Sequence, residues 1–95
     1  LLDWSRFLGA HLAGRRGQSA LLPREAFERL HRPPEGSDYA FGWRRVERPW
    51  GHGRVLTHAG SNTMWFAVTW LAPHRDFGVA VVTNAALPGA QTACD

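Results

Sequence analysis

Lysine and isoleucine are absent from this sequence, and cysteine occurs once, as Cys94. All eleven basic residues are therefore arginine. Without lysine, a mechanism that needs a lysine base or a lysine Schiff base cannot be completed within these 95 residues. A single cysteine excludes an internal disulfide framework and a cysteine-based zinc site. The redox compartment stays undetermined.

Long hydrophobic runs are missing as well. Runs such as Trp70-Leu71-Ala72 fall far below the ~20 apolar residues that span a bilayer, so we expect no membrane span. The chain begins at Leu1 rather than at a methionine, and its one methionine is Met64. We expect the numbering to start inside a longer protein. Its localisation is left open, a periplasmic or secreted parent being one option.

Histidine is the residue type that raises the question of a metal. The five histidines have no cysteine partner and no close pair at helical spacing, so we expect neither a metal nor a cofactor. We place His11 on a packed helix face and His74 in a turn. Three further histidines complete the set: His31, His52 and His58.

The formal net charge of +3 prompts a comparison with nucleic-acid-binding proteins. One segment interleaves arginines with aromatics, as single-strand binders do: Trp43, Arg44, Arg45, Arg48, Trp50 and Arg54. Because arginines are also spread over the rest of the chain, we favour a solvated hairpin and expect no nucleic-acid partner. A small basic nucleic-acid-binding module is kept as an alternative.

Helical spacing dominates residues 1–35. Asp3 is a suitable N-cap for a first helix, and Gly14 ends its apolar pattern. Pro23 fits the first turn of a second helix, which we expect to end near His31. The Pro33-Pro34 pair excludes its continuation.

Residues 39–84 change to a period of two, which predicts strands. We expect one strand from Tyr39, with Phe41 and Trp43 on the same side, followed by three more at 54–58, 64–71 and 77–83. Short connections make the four an antiparallel meander, so the fold class is α+β with helices packed on a sheet.

The last two of these strands are apolar on both faces, and two short helices cannot cover both. If further covering helices are absent, we expect an exposed apolar patch and, through it, self-association of the sheet. The patch would contain Trp65, Phe66, Trp70 and Leu71.

A complete pair of serine nucleophile and base is absent from the sequence. None of the four serines lies in Gly-x-Ser-x-Gly, and Ser-x-x-Lys cannot occur without lysine. Either the catalytic residues of this chain are incomplete, or its function does not use a serine nucleophile.

Four segments in order nevertheless resemble the C-terminal part of the serine β-lactamase-like family, which includes class C β-lactamases, DD-peptidases and related esterases. They are Leu2–Leu8, similar to the family's Asp-Leu-x-Arg-Phe helix; Tyr39–Trp43, similar to Tyr-Gly-Leu-Gly-Trp; His58–Asn62, similar to His-x-Gly; and Pro73–Asn84, similar to Pro-x-x-Asp-x-Gly-Val-Val-Val-x-Thr-Asn. The resemblance covers nearly the whole chain. It implies a β-lactamase/transpeptidase-like fold whose C-terminal helix begins near Pro88 and is cut off at Asp95.

The resemblance also implies roles for individual residues. His58, Ala59 and Gly60 would form the family's third active-site box, with the Ser61 N–H as an oxyanion donor. His58, Ala59 and Asn62 would contact the substrate, a small amide or ester. The His-x-Gly form favours an esterase-like or peptidase-like relative over a true β-lactamase. Since the nucleophile is absent, we expect this chain alone to be inactive; a non-catalytic binding relative is the alternative.

Overall fold

The computed structural model describes residues 1–94 and contains one five-stranded antiparallel sheet in the order β1-β2-β3-β4-β5. Two helices precede the sheet and one follows it, so the predicted α+β meander is confirmed. The bounds are α1 Leu2–Arg15, α2 Arg24–Leu30, β1 Tyr39–Ala40, β2 Trp43–Arg48, β3 Gly53–Ser61, β4 Phe66–Ala72, β5 Phe77–Thr83 and α3 Pro88–Cys94. Short 3-10 turns follow β2 and β4, at Pro49–Gly51 and Pro73–Arg75.

The helix starts differ from the sequence prediction. Leu1 is the N-cap of α1, and Asp3 lies inside the first turn, where its carboxylate pairs with Arg6 at 2.8 Å. The prediction that Asp3 caps the helix is therefore wrong, although an acidic residue in the first turn still suits the helix dipole. Pro23 is the N-cap of α2 rather than its first helical residue.

The first predicted strand is two strands. Tyr39 pairs with Arg44 and Ala40 with Trp43, so the chain reverses at Phe41 and Gly42. Gly42 has φ +83°, a conformation that a side chain disfavours, and it makes the two-residue turn feasible. Tyr39 and Phe41 are exposed while Trp43 is buried, so these three aromatics do not share one buried side.

The sheet has an apolar core on each face. On the front face, Trp43, Leu56 and Leu71 pack with Leu8 of α1. On the rear face, Cys94 of α3 packs against a second cluster. This rear cluster consists of Val55, Val68, Trp70 and Ala72.

Coverage of the sheet is more complete than we expected. Trp70 is 9% exposed and Leu71 is fully buried, so the prediction that both belong to an exposed patch is wrong. Trp50 supplies part of the cover, its ring lying 6.0 Å from that of Trp70. Trp65 is half exposed, and the edge strand β5 exposes Val79 and Val82. Self-association stays a prediction.

Within residues 1–94, no helix has both the length and the apolar character needed to cross a bilayer. The longest, α1, has 14 residues.

Candidate functional site

The predicted site residues lie where β3 leaves its neighbour β2. Pairing between β2 and β3 ends at Arg44 and Thr57, whereas β3 continues to Ser61 and stays paired with β4. We call His58–Ser61 the open end of β3, because no other strand within residues 1–94 lines its second edge. Sequence analysis placed the strand end at His58, so the strand is longer than predicted.

The open edge carries free backbone polar groups. The Asn62 N–H donates to the Trp65 carbonyl across the hairpin, at 3.3 Å. Successive residues of an extended strand direct their N–H groups to opposite edges, so the Ser61 N–H is directed to the open edge. A backbone donor at an unpaired edge is the type of group that stabilises an oxyanion.

The five predicted site residues are all exposed, but they do not share one face. By strand alternation, His58 and Gly60 belong to the front face, and Ala59 and Ser61 to the rear face. Within residues 1–94 the His58 imidazole forms no hydrogen bond or ion pair. A Cβ added to Gly60 would meet no atom within 4 Å. Packing within the described chain therefore does not require glycine at this position.

Asn62 holds the hairpin that follows the open end. Its Oδ1 accepts hydrogen bonds from the N–H groups of Met64, at 3.2 Å, and Trp65, at 2.8 Å. Thr63, between Asn62 and Met64, has φ +74°, which is unfavourable for a β-branched residue. This arrangement gives Asn62 a structural role in the turn, in addition to the substrate contact predicted for it.

Two depressions adjoin the open end of β3. A groove of about 420 Å³ lies along the rear face and the β3 edge. It is lined by Tyr39, Arg44, Val46, Arg48, Thr57, His58, Ala59, Val68, Trp70 and Gln91. A shallower depression of about 220 Å³ includes Gly60, Ser61 and Asn62. The structure thus places the five residues side by side along one strand and turn, divided between two concave surfaces.

A buried histidine pair was not predicted from sequence. His11 Nδ1 and His31 Nε2 lie 2.8 Å apart, and both side chains are 6% exposed. The His11 ring is surrounded by the aromatic rings of Phe7, Phe27 and Trp43. The placement of His11 on a packed helix face is confirmed, but its partner, 20 residues away, becomes a neighbour only because α1 packs on α2.

Both imidazoles of the pair are neutral at pH 7. Burial lowers the pKa of His11 from its usual value of 6.5. Burial, together with the charges of His11 and Arg15, lowers the pKa of His31 to about 4. A neutral pair forms its hydrogen bond with one ring donating and the other accepting.

The arginines and tryptophans considered for nucleic-acid binding do not form one surface. Trp43 is 4% exposed and cannot stack on a base from solvent. Arg44 and Arg45 are neighbours on one strand, so their side chains lie on opposite faces of the sheet. Arg44 also pairs with Asp38 at 3.2 Å.

Searches with this chain against protein-family models, curated proteins and solved structures gave no match.

Proposed function

We propose that this chain is the C-terminal part of a serine hydrolase of the β-lactamase-like family and supplies one wall of its active site, His58 to Ser61. The observation that carries the proposal is Gly60. In a strand interior, glycine weakens the sheet and is often found where a ligand or another backbone approaches closely. Since no described side chain occupies the space beside Gly60, a substrate is the group we assign to it.

The reaction is acyl transfer from an amide or ester. A serine hydroxyl, supplied by a Ser-x-x-Lys element outside this chain, adds to the substrate carbonyl. The alcohol or amine leaves with a proton, and water then hydrolyses the acyl-enzyme. The Ser61 N–H donates to the oxyanion that forms at each addition step. His58, with its free imidazole, donates a hydrogen bond to an acidic group of the substrate.

The experiment begins with the coding sequence upstream of Leu1, read in frame. We expect a Ser-x-x-Lys element followed by Tyr-x-Asn. A frame that lacks the serine and lysine would contradict hydrolase function and would leave a non-catalytic binding relative as the better description.

A serine-directed fluorophosphonate then tests whether the nucleophilic serine lies upstream of this chain. We expect one covalent adduct on the full gene product, at the upstream serine, and none on the isolated 95-residue chain. Mass spectrometry after a short exposure measures both. Rapid labelling of any of the four serines in the isolated chain would overturn the proposal.

A further inference from the structure

A second cavity lies at the other end of β3, beneath α1 and α2. It has a volume of about 280 Å³ on the front face of the sheet. Its lining comes from two layers of the fold. The helical layer contributes the ends of α1 and α2, and the sheet contributes β2, the start of β3 and the turn after β4. The lining residues are Arg15, Glu28, His31, Arg32, Arg45, Arg54, Leu56, Pro73 and His74. We call this the basic cavity.

The charges of the basic cavity are strongly unbalanced. The lining contains four arginines and one carboxylate, that of Glu28. One of the four, Arg54, pairs with Glu47 outside the lining, at 3.3 Å. Glu28 is shared, since it pairs with Arg24 at 3.0 Å and with Arg15 at 3.7 Å. Within residues 1–94, neither Arg32 nor Arg45 forms an ion pair.

Concentrating like charges in a concave surface is costly without an anion. The interaction of guanidinium groups with one another is repulsive, and the low-dielectric walls of a cleft strengthen it. Surface arginines avoid this cost by spreading apart, yet here residues far apart in sequence, from Arg15 to His74, meet at one cavity. Arg15 also contributes to the lowered pKa of His31, which reflects the positive potential in this region.

His31, one of the lining residues, has a buried polar atom without a partner. The Nδ1 of His31 is enclosed and forms no hydrogen bond with any described residue. Its other ring nitrogen is already engaged by His11. When His11 Nδ1–H donates to His31 Nε2, the neutral His31 ring carries its proton on Nδ1 and presents a donor that has no acceptor. Buried donors of this kind are uncommon in folded proteins and are costly while unpaired.

We propose that the basic cavity binds a phosphate group, either free phosphate or the monoester of a small molecule. Guanidinium groups match the geometry of phosphate oxygens and donate to them in pairs. Several donors arranged around one cavity suit a dianion with three or four oxygens better than they suit a single carboxylate. The volume of about 280 Å³ accommodates such a group. This site is independent of the acyl-transfer wall at the opposite end of β3.

The test uses isothermal titration of the purified protein with inorganic phosphate and, separately, with phenyl phosphate. The variants are Arg45→Gln and Arg44→Gln, which remove the same charge from adjacent positions on opposite faces of β2. We expect Arg45→Gln to weaken phosphate binding about tenfold or more, the loss typical of a charge-assisted hydrogen bond. Arg44 lines the rear groove, so we expect Arg44→Gln to change phosphate affinity by less than about twofold.

Controls keep the result interpretable. Arg32→Gln, at an exposed position after α2, repeats the test if Arg45→Gln fails to give a native circular dichroism spectrum. A preference for phenyl phosphate over phosphate indicates a monoester ligand, and the reverse indicates free phosphate. Equal weakening by Arg44→Gln and Arg45→Gln, tighter binding of a twelve-residue oligothymidylate, or no phosphate binding at millimolar concentration would each overturn the proposal.

Discussion

The two ends of β3 differ in burial and charge. At the first end, Val55 is fully buried and Leu56 is 3% exposed. Gly53–Val55 pair only with β2, and Leu56 pairs with both β2 and β4. At the open end, His58–Ser61, every residue is exposed and only β4 pairs with the strand. The first end therefore determines whether the sheet forms, whereas residues at the open end are free to serve a chemical role at little cost to stability.

Charge separates the two ends further. The basic cavity borders the first end, where Arg45 and Arg54 flank Leu56. The open end carries a neutral backbone edge and one exposed histidine. One strand thus connects the proposed phosphate site with the proposed wall of the acyl-transfer site.

The largest expected effect is the loss of core packing at the first end. Leu56→Ala removes a side chain that packs with Leu8, Trp43 and Leu71, and should cost about 2–5 kcal/mol of unfolding free energy. His58→Ala, two residues further along the same face, should change it by about 0.5 kcal/mol or less. Urea unfolding followed by tryptophan fluorescence measures both. Similar losses of unfolding free energy for the two variants would contradict the proposed difference between the two ends of β3.

Glycine substitutions compare the two ends of β3 in another way. They add a methyl group, whereas the alanine variants above remove side-chain atoms. A Cβ at Gly51 would collide with the Val55 side chain, so Gly51→Ala should destabilise the fold by about 1–3 kcal/mol. Gly60→Ala adds the same methyl group where no atom lies within 4 Å. It should leave the urea midpoint nearly unchanged. A midpoint for Gly60→Ala as low as that for Gly51→Ala would show that packing does require Gly60.

A third effect concerns pH and the histidines beside the basic cavity. His31 is neutral in the folded protein down to about pH 4, whereas in the unfolded chain it gains a proton near pH 6.5. The unfolded state therefore binds more protons between these values, and stability falls as the pH is lowered through this window. Between pH 7 and pH 5 the loss should be about 2 kcal/mol, at 1.36 kcal/mol for each pH unit below 6.5.

Urea midpoints at pH 7 and pH 5 measure this loss, and His31→Gln provides the comparison. The variant should retain the part of the pH dependence that comes from the other titratable groups and lose most of the contribution of His31. An identical pH dependence in the variant would contradict the assignment of a buried neutral His31.

The sequence predicted the sheet better than its covering. Alternating apolar residues in β4 and β5 identify these strands without any knowledge of their neighbours. The same alternation misled at Tyr39, Phe41 and Trp43, because a two-residue turn at Phe41-Gly42 also leaves aromatics two positions apart. The strand predicted at 64–71 begins at Phe66, because the Asn62 side chain holds the N–H groups of Met64 and Trp65 in the preceding turn.

Contacts between segments that are distant along the chain could not be predicted from the sequence. The His11–His31 pair depends on how α1 packs on α2, and the basic cavity depends on both helices lying over the first end of β3. No local pattern around Arg15, Arg32 or Arg45 distinguishes them from other arginines. The roles of the residues at the open end were predicted from a resemblance to a family motif, which depends on sequence order and not on packing, and they stay predictions.

Gly60→Val in the full gene product tests whether the open end of β3 forms a wall of an acyl-transfer site. We expect a fall of about a hundredfold in kcat/KM for p-nitrophenyl acetate, because the added side chain displaces the reacting carbonyl. The urea midpoint should stay close to that of the parent. Gly9→Val, at another position with no atom within 4 Å of an added Cβ, should leave kcat/KM unchanged. Unchanged hydrolysis by Gly60→Val, or no esterase activity in the parent, would contradict the account.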